Sequence, residues 1–292
     1  MKVLCFGSMN IDYVYSVDHM VNIGETETSL GMSINPGGKG LNQSVALARA
    51  GVEVWHAGMI GREGKNLKEK CIEKGVNVGY VRTVEGQSGH TIIQVDKNGD
   101  NSIILFGGAN QCMTIGFINE VFEGFGRGDM ILLQNEINML DVIIDKAYEK
   151  GMQIVLNPSP YNEGLESCDL SKISFFLLNE IEGEQMTGEK NPDDILKKIH
   201  LLYPNAKVVL TLGEAGSVYM DGDSIYRQEA FKVKAVDTTA AGDTFTGYFI
   251  ASIIKGMTPE EGLRMASKAA SIAVTKHGAL DSIPYVEECV LS

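Results

Sequence analysis

Phe175-Phe176-Leu177-Leu178-Asn179-Glu180-Ile181-Glu182 sets four apolar residues in a row ahead of an Asn and two carboxylates. An apolar run without polar alternation reads as a strand buried on both faces, as in parallel sheets covered by helices, and Asn is a common helix cap. The same reading extends outward along the chain to Val3 to Phe6, Met130 to Leu133, Ile154 to Leu156 and Val208 to Leu212. Helical patterns lie between these runs, for example Gln43 to Ala50, Met139 to Glu149 and Asp193 to Leu202. Strands alternating with helices predict an α/β fold, with a Rossmann-like, mostly parallel central sheet sandwiched by helices. Thr258-Pro259-Glu260-Glu261 marks one late helix start with an N-cap, a first-turn proline and a Glu three residues on.

Two segments break the alternation. Thr26 to Asn35 and Gly89 to Phe106 look like β-structure, the second a hairpin turning at Asn98-Gly99. A small sheet projecting from the core would make a lid, formed by about 13–35 and 89–106, over a site at the strand ends; an edge extension of the main sheet is the other reading. With no repeat, low-complexity tract or linker in view, 292 residues are expected to form a single domain, 1–292.

Composition narrows the function classes. The 44% hydrophobic and 22% charged residues are ordinary for a globular chain, while 33 glycines exceed the usual share of about 7% and cluster at Gly37-Gly38, Gly107-Gly108 and Gly213 to Gly216. A formal charge of −13 argues against a general nucleic-acid or membrane-surface binder, which needs a positive field. ATP remains compatible where Mg2+ and local donors offset repulsion. The five cysteines are scattered without a Cys-x-x-Cys pair, and the five histidines lack metal-ligand spacing. A reducing cytoplasm fits best, since the N-terminus lacks the apolar core of a signal peptide and no segment approaches the ~18 apolar residues of a membrane span.

Three constellations carry chemistry. Asp237-Thr238-Thr239-Ala240-Ala241-Gly242-Asp243 precedes the helical pattern Thr244 to Lys255. Its small residues let backbone N–H groups approach an anion at a helix N-terminus, and Asp243 beside that anion suits a base taking a proton from an alcohol; the bland alternative is that Asp243 only caps the helix. Asn35-Pro36-Gly37-Gly38-Lys39-Gly40-Leu41-Asn42 is not a P-loop, because Gly40 follows Lys39 and Ser33 stands where the first glycine belongs, and Gln43 breaks the dinucleotide fingerprint. It reads as a turn suited to a polyhydroxylated ligand, or as a plain helix start. Asn10 and Asp12, after the first strand, suit adjacent sugar hydroxyls, and Asn179 and Glu182 could help place Mg2+ and its waters.

In this order the pieces resemble the ribokinase or phosphofructokinase-B family of sugar kinases, nearly end to end. The resemblance is carried by Gly7-Ser8-Met9-Asn10-Ile11-Asp12, Gly37 to Asn42, Asn157-Pro158, Asn179 to Glu182, Thr211-Leu212-Gly213, Asp237 to Asp243, and Gly278-Ala279 with Ser282 and Pro284. It implies Mg·ATP as donor and a primary alcohol as acceptor, with D-ribose first among free sugars and deoxyribose, fructose or adenosine as alternatives. Asp243 then looks like the catalytic base and the amides of Ala240, Ala241, Gly242 and Asp243 like the anion hole. Asn10, Asp12, Gly38, Lys39, Asn42 and Glu136 match sugar positions; Asn179, Thr211, Gly213 and Gly216 match the nucleotide side. An activating K+ would lie at Asp237, Thr239, Ala273, Lys276, Gly278 and Ser282, and a homodimer through the lid is implied. Leu41 stands where a smaller residue, usually Ala, is expected. A silent sugar sensor is the reading from another class, and an intact Asp243 argues against it.

Overall fold

The computed structural model describes residues 1–290. Strand β1 (Val3–Phe6) is followed after three residues by β2 (Asn10–Ser16), then by β3 (Gly31–Gly37) and helix α1 (Lys39–Arg49). Next come β4 (Val54–Ile60), α2 (Lys65–Glu73), β5 (Asn77–Thr83) and the hairpin β6 (Gly89–Val95) and β7 (Asn101–Phe106). The chain continues through α3 (Ile115–Phe122), β8 (Met130–Gln134), α4 (Leu140–Glu149), β9 (Gln153–Asn157), β10 (Phe175–Asn179), α5 (Glu180–Thr187), α6 (Pro192–Leu202) and β11 (Lys207–Thr211). An antiparallel pair, β12 (Ser217–Asp221) and β13 (Ser224–Gln228), leads to α7 (Ala241–Ile254), α8 (Pro259–Ala273) and α9 (Val286–Val290).

Nine strands form the main sheet in the order β13-β12-β11-β10-β9-β8-β1-β4-β5. The seven from β11 to β5 run parallel and only the β12–β13 edge is antiparallel. Alternate residues of each strand feed two separate cores, as period-2 geometry requires. Leu4 and Phe6 face a cluster with Phe117, Ile143 and Ile195 from α3, α4 and α6. Val3 and Cys5 face another with Val45, Leu67, Phe249 and Leu263 from α1, α2, α7 and α8. Because both faces are covered, the strands could remain almost wholly apolar, and that is why they were visible in the sequence.

A second, separate sheet has the order β3-β2-β6-β7. The expected lid is therefore present, with a boundary difference. β2 begins at Asn10 rather than 13, β3 occupies only Gly31–Gly37, and no strand forms over Thr26 to Leu30. The reason is pairing: β2 lies between an antiparallel β3 and a parallel β6, and β3 reaches only as far as Gly31 opposite Ser16. The hairpin turns where expected, with Asp96 accepting from the N–H of Asn98 at 2.8 Å.

Helices α1 and α7 cross in close contact. A Cβ on Gly247 would fall 2.4 Å from the Cβ of Ala46 and 3.0 Å from its carbonyl carbon, so only hydrogen fits. Gly247→Val is expected to force the helices apart and lower stability by roughly 1–3 kcal/mol, read as a fall of several degrees in the thermal midpoint.

Candidate active site

The C-terminal ends of the parallel strands share one edge of the sheet, where open α/β folds present ligand crevices. There Gln134 of β8 lies in register with Asn157 of β9, and Asn179 of β10 with Thr211 of β11. A cavity of about 260 Å³ opens beside them, lined by Asn179, Glu182, Thr211, Lys39 and the turn Ala240 to Asp243, among others.

Asp243 occupies the first turn of α7 without capping it. The N-cap is Ala240, whose φ of 59° puts an alanine in the left-handed region and which makes no side-chain cap bond. The Asp243 carboxylate reaches across to α1 instead, accepting from Asn42 Nδ2 on Oδ2 and from Gln43 Nε2 on Oδ1, each at 2.9 Å. The contact at Gly247 and Ala46, one turn further along each helix, is what brings these side chains within reach. The N–H of Ala241 is taken by the Thr238 carbonyl at 3.2 Å, and that of Thr244 by the Ala240 carbonyl at 2.8 Å. The N–H groups of Gly242 and Asp243 have no partner among the described residues, the usual state of a helix start open to a ligand.

The expected sugar residues converge from both sheets. Asn10 and Asp12 belong to β2 of the small sheet rather than to the end of β1. Asn10 is buried and accepts from Asn110 Nδ2 at 2.7 Å, whereas Asp12 accepts from the Thr91 hydroxyl at 2.6 Å. Gly37 lies so close to Asp12 that a Cβ there would meet Oδ2 at 1.8 Å. Glu136, in the loop after β8, accepts from the Ser8 hydroxyl and from the Lys39 N–H at 3.1 Å. Gly38 has φ 95°, a conformation that favours glycine, and starts α1 so that Lys39 and Asn42 both face this region.

Charges crowd here. Burial pushes the Asp12 carboxyl up to about 6, and Glu136 and Asp243 nearby add to it while the Thr91 hydroxyl opposes. Burial likewise raises Glu136, against the pull of the Lys39 ammonium. Burial draws the Lys39 ammonium down, but Asp243, Glu136, Glu182 and Asp12 outweigh it and hold it above its ordinary value.

On the expected nucleotide side, Asn179 and Glu182 form a capping box. The Asn179 side chain accepts from the Glu182 N–H, and Glu182 Oε2 accepts from the Asn179 N–H, both at 2.9 Å. Asn179 thus works as a cap, and Glu182 lines the cavity. Gly213 and Gly216 follow in the turn after β11 and are not among the cavity's lining residues. The turn before α7 is tied to the loop after α8: Val236 N–H donates to the Val274 carbonyl at 2.7 Å and Gly278 N–H to Asp237 Oδ2 at 2.9 Å. Burial raises the Asp237 carboxyl, but bonds from Thr239 and Gly278 prevail and keep it low. The Lys276 ammonium pairs with Glu288 at 2.8 Å. No group of three His, Cys, Asp or Glu side chains suited to a metal ion occurs among the described residues.

The pfkB family carbohydrate kinase model matches residues 1–285. The chain belongs to that family. It is 34% identical to a ribokinase of Haemophilus influenzae, covering 97% of this chain and 95% of the relative. It is 31% identical to a deoxyribokinase of Salmonella typhi, over 99% and 97% respectively. The structure of Arabidopsis thaliana ribokinase complexed with ribose and ATP superposes with a TM-score of 0.87 at 28% identity, over 99% of this chain and 97% of that one. The chain is therefore a carbohydrate kinase by family, with the family's α/β core and small second sheet.

Leu41, where the family resemblance led us to expect a smaller residue, is fully buried and packs in the core with Val3, Cys5 and Met9. It faces the helix core, so nothing follows from it for the sugar. Sequence reasoning missed four residues that hydrogen-bond the expected site residues. Ser8 stands inside a quoted motif and Gln43 directly follows one, so both could have been noticed there, but Thr91 and Asn110 carry no local signal and are known only from the pairing of β6 with β2 and the turn after β7.

Proposed function

We propose that the chain transfers the γ-phosphoryl group of ATP to the 5-hydroxyl of D-ribose. The observation that carries this is the Asp243 carboxylate, oriented by two amide donors beside the unpartnered N–H groups of Gly242 and Asp243 and the Lys39 ammonium. Asp243 accepts the proton of the 5-hydroxyl as that oxygen bonds to phosphorus and the bond to the departing ADP oxygen breaks. The amides at the start of α7, with Ala240 and Ala241 shaping the turn, receive the negative charge that develops on the transferring group. Asn10, Asp12, Gly38, Lys39, Asn42 and Glu136, with Asp243, hold the sugar, and Asn179, Thr211, Gly213 and Gly216 shape the nucleotide side.

Glu182 suits Mg2+, which keeps several waters and needs one or two carboxylates beside the phosphates, whose charge it neutralises. Asp237, held ionised, and the carbonyls of Thr239, Ala273, Lys276, Gly278 and Ser282 offer the hard oxygens a K+ ion requires. Pairing of the Lys276 side chain with Glu288 leaves its carbonyl as the donor to consider. Exposed Met32, Ile34, Ile103, Ile104 and Phe106 on the small sheet support a homodimer through the lid. The reading is of one domain, 1–292, with a lid at 13–35 and 89–106. The location in this reading is cytoplasmic; no helix among the described residues is long and apolar enough to cross a membrane.

ATP consumption with Mg2+ and K+ against ribose, deoxyribose, fructose and adenosine tests the reading. Turnover highest with ribose is expected. The Salmonella typhi relative keeps deoxyribose as the second reading, and preference for it would move the assignment while leaving the mechanism. Sugar binding without turnover of any substrate would leave a silent sensor.

A further inference from the structure

We propose that Gln43 and Gln134 form a directional amide relay that positions the Asp243 carboxylate for proton abstraction. Gln134 does so without touching either substrate. The inference rests on Asp243 being the base.

A carboxylate offers only acceptors, so the end of Gln43 facing Asp243 must be its NH2, which donates to Oδ1 at 2.9 Å. Gln43 Oε1 is thereby turned inward, where it accepts from Gln134 Nε2 at 2.6 Å. Gln134, fully buried at the end of β8, must in turn direct its own NH2 outward, and its Oε1 is left buried with no partner. Reversing the Gln134 amide would set two carbonyl oxygens against each other, so the unpartnered oxygen is the consequence of a direction imposed from the Asp243 end. Natural interiors rarely keep such an atom, since burial without a donor is penalised. Gly7 leaves space for it: a Cβ there would fall 2.2 Å from Gln134 Oε1. The amide nitrogen of Gln134 has one further neighbour, Cys5 Sγ at 3.7 Å. With Asn42 Nδ2 on the other oxygen, each carboxylate oxygen has one donor, which fixes the plane of the group.

The test is a double-mutant cycle on the sugar that the protein turns over best. Gln134→Met keeps the volume and removes the donor. It is expected to lower kcat about tenfold and to leave the sugar KM within about twofold, because Asp243 is loosened but the sugar contacts stay. In a Gln43→Met background the same change is expected to alter kcat by less than about twofold, as the relay is already cut. Packing damage alone would persist in both backgrounds. Gln134→Leu serves if Gln134→Met does not fold. An unchanged kcat in the Gln134 variant, a loss seen only in KM, or equal losses in both backgrounds would each overturn the relay. Asp243→Asn, run in parallel, separates the two ideas. If that variant keeps its kcat, the base assignment fails and the relay with it, whereas a collapse there beside an unaffected Gln134→Met overturns the relay alone.

Discussion

Asp243→Asn is expected to lower kcat by about three orders of magnitude, with the sugar KM changing far less. The size follows from removing the proposed general base, a role whose contribution is typically about 10²- to 10⁴-fold. The fold should tolerate the change. Asp243 is half-exposed at most, sits close to other carboxyl groups, and contributes no cap to α7, so an isosteric amide removes charge without removing a structural bond of the helix. Gln43 can turn its amide to offer Oε1 to the new NH2, and Gln134 can follow. Steady-state kinetics together with a thermal melt checks this: a variant that melts like the parent yet retains kcat within tenfold would remove Asp243 from the role of base.

The second large effect is expected at Asp12, where function and stability oppose one another. In the folded protein its carboxyl is pushed up to about 6 from its usual 3.8, chiefly by burial. A raised acid favours the folded state only while protonated. Stability is therefore fully present below about pH 4, falls as pH rises from there to about 6, and stays reduced above. That displacement corresponds to roughly 3 kcal/mol at neutral pH. Asp12→Asn removes the penalty and is expected to raise the melting midpoint at pH 8 while leaving it nearly unchanged at pH 4. On the proposed reading the same substitution takes away a charged acceptor for sugar hydroxyls, so KM for the sugar should rise by about two orders of magnitude. In the parent protein sugar KM should climb as pH drops below about 6, for the same reason. A melt at pH 8 that falls on substitution would show that the ionised Asp12 is not strained in the folded protein.

The core was legible because its strands are covered on both faces. Phe175 to Leu178 and Met130 to Leu133 have no polar residue to confuse the pattern, and the capping box at Thr258 was readable from three letters. The small sheet was legible as β-structure but not in its pairing. β2 is flanked by β3 on one side and by the distant β6 on the other, and nothing local to Asn10 or Asp12 announces that their partners are Asn110 and Thr91. Gln43 was set aside for not being a glycine, a test of one motif that said nothing about the task of the side chain itself. Its importance comes from the approach of α7, from about 200 residues away in sequence.

The crowding of Asp12, Glu136, Glu182 and Asp243 around a single Lys39 makes the crevice a filter by charge. Under the proposed reading a neutral sugar meets no electrostatic resistance there, whereas the phosphates of a nucleotide would need a metal ion to offset the carboxyl groups. Once the sugar carries a phosphate, the same carboxyl groups repel it. On that reading the carboxyl groups around the sugar oppose the anion that the chemistry creates, and its departure is eased by the field that did not oppose the neutral sugar.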